Sequence, residues 1–115
     1  MNAKPFQQLD RVIHEKGRMG IMSMLAAAPG LSFTELRGTL DMTDGNLTTH
    51  IRTLQKVGYV AVSKSFQNNR PHTTCALTHE GRKAFREYVG LLEAIVKLTR
   101  QPKKPKRKKS TVNAL

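Results

Sequence analysis

One segment, from Leu31 to Gly58, constrains the fold most because it carries the start and stop signals of two short helices joined by a tight turn. Ser32 is a favourable helix N-cap residue, and Glu35 stands three positions later, where the two residues complete a capping box. The first helix is therefore predicted to follow Ser32 and to run to Leu40. A turn of three residues then separates it from the second helix.

The second helix is predicted to begin near Asp44 and to end at Gly58. Thr43 can cap it, and the carboxylate of Asp44 suits the positive end of the helix dipole. His50 flanks the apolar side of this helix, so we expect it to pack or to form a hydrogen bond. The apolar residues recur at helical spacing and predict one stripe that faces the core: Leu47, Ile51 and Leu54.

The opposite surface of the second helix carries short polar side chains and two cations, whereas an ordinary solvated helix face holds Glu and Lys pairs. Short side chains let a backbone approach a groove closely, and cations contact phosphate or guanine. The pattern predicts a surface that reads the major groove of DNA, the alternative being a structural helix pair in another small domain. The expected contacts are Thr43, Asp44, Gly45, Asn46, Thr48, Thr49, Arg52 and Lys56.

Two β-rich runs follow, Tyr59 to Phe66 and Thr73 to Leu77, and we expect them to pair as a hairpin. The stretch between them, Gln67 to His72, is rich in turn-forming residues and is predicted to be a loop. A ribbon directly after a reading helix can lay its tip along the neighbouring minor groove, where an inserted Arg is favoured. The alternative is simple solvent exposure. The predicted contacts of this loop are Asn68, Asn69, Arg70 and His72.

In this order the motifs resemble those of the winged helix-turn-helix transcriptional regulators, of the MarR-like and ArsR-like kind found in bacteria and archaea. The resemblance spans about Gly17 to Phe85, and its matching pieces are LSFTELRGTL, DMTD, GNLTTHIRTLQKVGYV, QNNRPHTTCALT and THEGRKAF. It implies a homodimeric DNA-binding repressor or activator in which Asp44, Thr48, Thr49 and Arg52 approach bases and phosphates. The expected fold is α+β, mainly α: a three-helix core and a two-stranded wing, with flanking N- and C-terminal dimerisation helices.

The flanking helices carry more apolar residues than one small core can cover. A short amphipathic helix is predicted before Gly17, and Thr78 can cap a long helix after the hairpin. We expect the surplus to form a dimer seam that places two reading helices on a palindromic site, although the last helix could instead fold back on its own domain. The expected seam residues are Phe6, Leu9, Ile13, Tyr88, Leu91, Leu92, Ile95 and Leu98.

The formal net charge of +12 on 115 residues indicates a polyanionic partner, and 38% hydrophobic residues suffice for one core. We expect a single domain over residues 1–100 and a disordered basic tail over residues 101–115. The tail could bind phosphates nonspecifically, act as a nuclear localisation signal in a eukaryotic host, or only solubilise the chain. Six of its residues are cationic: Lys103, Lys104, Lys106, Arg107, Lys108 and Lys109.

Other function classes find less support. The chain has no Gly-rich phosphate loop, no paired carboxylates on one face and no Ser-His-Asp set, so we expect no enzyme. A regulator that responds to a metal or a small effector, and a protein-interaction module, are the alternatives. His72, Cys75 and His79 form the one local cluster, but their spacing on a strand points them to different faces, so we expect neither a metal nor a cofactor.

RNA binding is also less favoured, because only 5% of the residues are aromatic and no stacking platform is evident. The single cysteine, Cys75, excludes an internal disulfide and suits a reducing compartment. No apolar run is long enough to span a bilayer. We therefore expect a cytoplasmic, nucleoid-associated protein of a prokaryotic host.

Overall fold

The computed structural model describes residues 4–100, so the six expected tail cations between Lys103 and Lys109 lie outside the described residues. Five helices and three strands occur in this range. In chain order they are α1 (Lys4–Gln8), α2 (Lys16–Ala26), β1 (Leu31–Ser32), α3 (Phe33–Leu40), α4 (Asp44–Lys56), β2 (Val60–Gln67), β3 (Arg70–Leu77) and α5 (His79–Arg100).

The helix starts that were predicted from local signals are confirmed. The Ser32 side chain accepts a hydrogen bond from the Glu35 backbone at 3.0 Å, and the Glu35 carboxylate accepts one from the Ser32 backbone at 2.9 Å. Thr43 caps α4 by accepting from the Asn46 backbone at 3.1 Å. Between the two helices, Asp41 adopts the left-handed conformation with φ 53°, so the turn needs only three residues. Two hydrogen-bonded N-caps thus fix where α3 and α4 begin.

The strands form a three-stranded antiparallel sheet in the order β1-β3-β2, where a two-stranded wing was expected. The additional strand β1 pairs Leu31 with Cys75 and Ser32 with Thr74. Two residues are too few to show an apolar and polar alternation, which is why the sequence does not reveal this strand. We call the β2–β3 hairpin the wing.

The predicted loop from Gln67 to His72 is wrong. The strands continue to the Gln67–Arg70 pair, so the turn consists of Asn68 and Asn69 alone. Both have positive φ angles, 53° and 63°, as a two-residue hairpin turn with the twist of its strands requires. Asn tolerates this left-handed conformation better than most residues do. His72 therefore lies within β3 and away from the tip.

The core lies between the helices and the sheet. The predicted α4 stripe is confirmed, since its three apolar residues are buried in the core, where α4 packs against α2, α3 and β2. The buried members are Ile13, Ile21, Met22, Leu25, Leu36, Leu47, Ile51, Leu54, Val60, Cys75 and Tyr88.

The N-terminal segment differs from the expected amphipathic helix, because α1 ends at Gln8. The Asp10 carboxylate accepts hydrogen bonds from the backbone N–H groups of Val12 and Ile13, at 2.8 and 3.1 Å, and turns the chain into the core. Ile13 is 0% exposed and Tyr88 is 1% exposed within one chain. Neither side chain has surface left for a partner, so the prediction that they line a dimer seam is wrong.

Polar side chains fasten this N-terminal segment to the rest of the domain. The Tyr59 hydroxyl donates to the Asp10 carboxylate at 2.5 Å. Burial and this hydrogen bond raise the pKa of Tyr59 to about 12. The Tyr88 hydroxyl lies 2.7 Å from His14 Nδ1 and 3.2 Å from the Met19 sulfur. The segment is thus held both to the end of α4 and to the middle of α5.

The start of α5 packs closely against the backbone before β2. As predicted, Thr78 caps the helix: its hydroxyl accepts from the Gly81 backbone at 2.9 Å, and its own backbone N–H donates to the Tyr59 carbonyl at 3.0 Å. A Cβ atom on Gly81 would overlap the Tyr59 carbonyl oxygen and lie 2.8 Å from its carbonyl carbon. Only glycine allows this approach of helix and strand.

Replacing Gly81 by Ala is expected to destabilise the domain by about 1–3 kcal/mol or more, because the overlap is with backbone, which cannot swing away. Gly90→Ala in the same helix is the matched control, since nothing lies within 4 Å of its added Cβ. This control is expected to stabilise by about 0.5–1 kcal/mol through helix propensity. Urea unfolding of both variants measures the difference, and equal midpoints would contradict the close approach.

Candidate nucleic-acid interface

The exposed side of α4 carries four residues in line along the helix axis, at the spacing i, i+4, i+7 and i+11. They are Gly45, Thr49, Arg52 and Lys56, which we call the exposed stripe. The stripe lies on the side of the helix opposite to the buried Leu47 and Leu54. Packing therefore fixes the orientation of α4 without involving the four stripe side chains.

Two further predicted residues sit beside this stripe. Asn46 is exposed on one flank. Thr48 is half-buried on the other flank and faces the wing. Thr43 is exposed, but its hydroxyl oxygen already serves as the cap of α4. Asn46 and Thr48 thus widen the polar surface on both sides of the stripe.

The first residue of α4 is already paired. The Asp44 carboxylate accepts a hydrogen bond from an Arg37 guanidinium nitrogen at 2.6 Å, and the side chains of Arg37 and Asp44 are 40% and 70% exposed. Such an exposed ion pair contributes little to stability, but it offsets the one negative charge at this end of α4. Arg37 was not among the predicted site residues. Arg37 lies in α3 and Asp44 begins α4, so the pairing depends on how the turn between the two helices folds and is not evident in the sequence.

A cleft of about 300 Å³ separates α4 from the wing. Its floor is apolar and its rims carry two cations, Arg52 from α4 and Lys64 from β2. Lys64 was not among the residues predicted from the sequence, although alternation along β2 places it on the same face as the half-buried Val62. The cleft is lined by Phe33, Thr48, Ile51, Arg52, Gln55, Val62, Lys64 and Thr73.

The wing presents its predicted residues in two places. Asn68, Asn69 and Arg70 are exposed at the tip. His72 is half-buried further down β3, on the ribbon face opposite to the cleft residues Lys64 and Thr73. The hydrogen bonds from Ser32 lower the pKa of Glu35, and His72 adds a smaller contribution of the same sign. The tip therefore keeps three of the four predicted residues.

The predicted packing role of His50 is confirmed. This half-buried side chain places Nδ1 3.3 Å from an Arg18 guanidinium nitrogen and 3.7 Å from a Glu15 carboxylate oxygen. Gly17 makes room for the ring, since a Cβ atom there would lie 2.8 Å from His50 Cδ2. The Arg18 side chain also donates to the Val12 carbonyl at 2.5 Å. These contacts tie α4 to the start of α2.

Other kinds of site have less support in the part of the chain that the structure describes. Residues 4–100 contain no group of three His, Cys, Asp or Glu side chains placed to hold a metal ion. Cys75 is buried, and burial raises the pKa of its thiol. No helix within the same residues is long and apolar enough to cross a membrane. The surface formed by α4 and the wing therefore stands out as the candidate interface.

Known proteins share this arrangement. A family model described as a winged helix DNA-binding domain matches residues 18–96. An uncharacterized protein of Methanocaldococcus jannaschii is 32% identical over 79 residues, which cover 69% of this chain and 86% of that protein. A transcriptional regulator homologue from Pyrococcus horikoshii OT3 is 26% identical with a TM-score of 0.77, over 85% of this chain and 95% of that one.

The fold is also that of a protein from Enterococcus faecalis V583 assigned to the MarR family of transcriptional regulators. Its structure superposes with a TM-score of 0.69 at 24% identity, over 77% of this chain and 80% of that chain. The identity is too low to carry more than the fold. The expected winged helix architecture is confirmed by these matches.

The cap of α2 is expected to make stability depend on pH. A hydrogen bond from the Arg18 backbone lowers the pKa of Glu15 below its ordinary 4.5. Because the folded-state pKa is the lower one, the stabilisation is present above pH 4.5 and is lost as pH falls through the folded-state value. Glu15→Gln should therefore lower the free energy of unfolding at pH 7 by about 0.5–1 kcal/mol.

Urea unfolding at pH 7 and at acidic pH checks this expectation, because the gap between wild type and Glu15→Gln should narrow in acid. Glu93→Gln, at an exposed position of α5, is the control and should change stability little at either pH. A gap for Glu15→Gln that stays constant with pH would mean that its carboxylate charge does not support the cap.

Proposed function

Because this chain belongs to the family of winged helix DNA-binding domains, we propose that it is a transcriptional regulator that binds specific sequences of double-stranded DNA as a homodimer. The observation that carries the proposal is the exposed stripe of α4. A helix of 13 residues is about 20 Å long, and the major groove, about 12 Å wide, admits a helix with its side chains. No enzymatic step enters the proposal.

Within this surface the residues have different tasks. Thr49 and Arg52 sit near the middle of the stripe, where side chains reach base edges, and Lys56 at its end contacts phosphate. Gly45 and Asn46 are short enough to let the start of α4 approach the DNA backbone. The paired Asp44 contributes through Arg37, whose guanidinium has donors left for a phosphate oxygen.

The cleft between α4 and the wing suits the DNA strand that separates a major groove from the next minor groove. Arg52 and Lys64 would contact its phosphates from the two rims, and the apolar floor would face deoxyribose. Beyond this strand, Arg70 at the wing tip would lie in the minor groove, where negative potential is strongest in A·T-rich sequence. The basic tail would add phosphate contacts without regard to sequence.

The same surface argues against a protein-interaction module. A winged helix that binds a protein partner through α4 would be expected to present an acidic or apolar face there. Here the stripe carries two cations, one hydroxyl and a glycine. The positive charge attracts a polyanion such as DNA, and the short polar side chains let α4 come close to it.

Arg52→Ala is expected to weaken binding to the specific site by about 1–3 kcal/mol, because the variant loses a base or phosphate contact while the core remains intact. The probe is a duplex that the wild-type protein selects from a random-sequence pool. Lys83→Ala is the matched control, since it removes one exposed cation from α5 and leaves α4 and the wing unchanged. Mobility-shift titration measures the affinity of both variants for the duplex. An equal loss of affinity in both would mean that Arg52 contributes only through the net charge of the protein.

The proposed dimer rests on apolar side chains of α5 beyond the core. Val96 and Leu98 are 44% and 36% exposed, and Phe6 of α1 is 47% exposed. Leu91 and Ile95 are half-buried without packing against the core cluster, and Leu92 packs against it only in part. A partner that covered these side chains would gain up to about 1.5–3 kcal/mol for each that becomes fully buried.

The double variant Ile95→Glu/Leu98→Glu should therefore yield folded monomers with much weaker operator binding, because a monomer contacts one half-site only. Lys97→Glu changes the charge on the side of the same helix that faces away from Ile95 and should leave the dimer intact. Light scattering coupled to size exclusion reports the mass of each form. If the wild-type protein is a monomer, the proposed dimer is overturned. DNA binding would then be tested by Arg52→Ala alone.

A further inference from the structure

Phe66 has no role in the core, in the proposed dimer seam or in the cleft. It is 76% exposed, more than any other large apolar side chain among residues 4–100. A single exposed apolar residue is ordinary on a protein surface. This one lies two residues from the wing tip, on a segment where its neighbours are polar and exposed. Its position on the ribbon therefore decides what it can contact.

The strand register defines the neighbours of Phe66. It pairs directly with Pro71 of β3, and alternation places both on the ribbon face that also carries Val62 and Lys64. This face turns toward α4, because Val62 and Lys64 line the cleft. Pro71 restricts its own backbone, and the two-residue turn closes the ribbon just beyond it. The two rings thus form a stiff apolar pair on the DNA-facing side of the wing.

The length of the ribbon brings this pair to the minor groove. Val62 lies at the cleft, and Phe66 is four residues further along β2, about 13 Å away at the rise of a strand. With α4 in the major groove, the DNA strand that bounds this groove crosses the cleft between Arg52 and Lys64. The next space along the ribbon is the minor groove, about 6 Å wide in B-form DNA.

We propose that Phe66, supported by Pro71, is a wedge that enters the minor groove, partly unstacks a base step and bends the DNA. The inference rests on the proposed function and deepens it. Apolar side chains inserted from a minor-groove binder kink a duplex, and cations beside the wedge hold the flanking backbones. Lys64 lies on the same face as the wedge, two residues toward the cleft, and Arg70 stands next to Pro71 at the tip, where its side chain begins on the other face of the ribbon.

The test compares Phe66→Ala, Phe66→Leu and Arg70→Ala in the full chain, on a duplex that the wild-type protein selects from a random-sequence pool. The bend angle is read by energy transfer between dyes at the two duplex ends, and unstacking by 2-aminopurine fluorescence at the steps under the wing. Phe66→Ala should abolish the bend and the fluorescence rise and weaken binding by about tenfold. Phe66→Leu, which keeps an apolar wedge, should retain most of the bend.

The salt dependence separates the wedge from a charge effect. Phe66→Ala should leave the slope of log K against log salt unchanged, whereas Arg70→Ala should reduce its magnitude by about 0.9 if one phosphate contact is lost. Because Phe66 is exposed, its replacement should not alter the urea unfolding midpoint.

The outcomes are distinct. If the wild-type protein selects no duplex, the proposed function fails. If it binds specifically while Phe66→Ala binds with equal affinity and equal bend, the wedge is overturned and the proposed function stands. A change of oligomeric mass in Phe66→Ala without a change of bend would assign Phe66 to a contact between protein chains and would also overturn the wedge.

Discussion

The backbone at Gly58 and Tyr59 joins α4, the wing and α5, and the geometry of the whole surface depends on it. Gly58 adopts φ 87°, which ends α4 in a Schellman motif with hydrogen bonds from Gly58 to Gln55 and from Tyr59 to Leu54, at 3.0 and 2.9 Å. The Tyr59 carbonyl then accepts from the backbone of Thr78. The ends of α4, the wing and α5 are therefore joined by backbone hydrogen bonds at Gly58 and Tyr59, and this joint sets the angle between α4 and the wing.

The same joint extends to the N-terminal segment through side chains. The Tyr59 hydroxyl binds Asp10, and further along the segment His14 contacts the hydroxyl of Tyr88 on α5. These hydrogen bonds are partly buried, and losing one partner costs free energy, so they hold the segment in one position. In the proposed dimer, α5 would determine the distance between the two copies of α4. The segment before α2 would then stiffen the connection between dimer and DNA surfaces.

The sequence predicts those features of the fold that depend on neighbouring residues. The caps at Ser32, Thr43 and Thr78 and the core stripe of α4 follow from local chemistry and periodicity. The strand β1 does not, since two residues carry no alternation and their pairing with β3 is distant in sequence. The turn was misjudged because Arg70 and Pro71 resemble loop residues, whereas positive φ at Asn68 and Asn69 closes the hairpin in two residues.

Periodicity also cannot tell which partner an apolar stripe meets. Ile13 and Tyr88 each belong to an apolar pattern that predicted a dimer seam, yet both fill the chain's own core. Ile13 is buried because Asp10 turns its segment inward. The site shows the same limit. The stripe of α4 is visible in the sequence, but Lys64 and Phe66 gain their importance only from the register of β2 against β3 and from the cleft.

The proposed division of labour within α4 would allow one fold to serve many DNA sequences. Leu47, Ile51 and Leu54 hold the helix in place, while Gly45, Thr49 and Arg52 on the other side take no part in packing. Phosphate contacts position a protein on DNA, and base contacts supply specificity. In the proposed function, changes at Thr49 or Arg52 would therefore alter the DNA sequence that is read at little cost in stability. The joint at Gly58 allows no such freedom, since a change there would move the wing relative to α4 and misplace every contact at once.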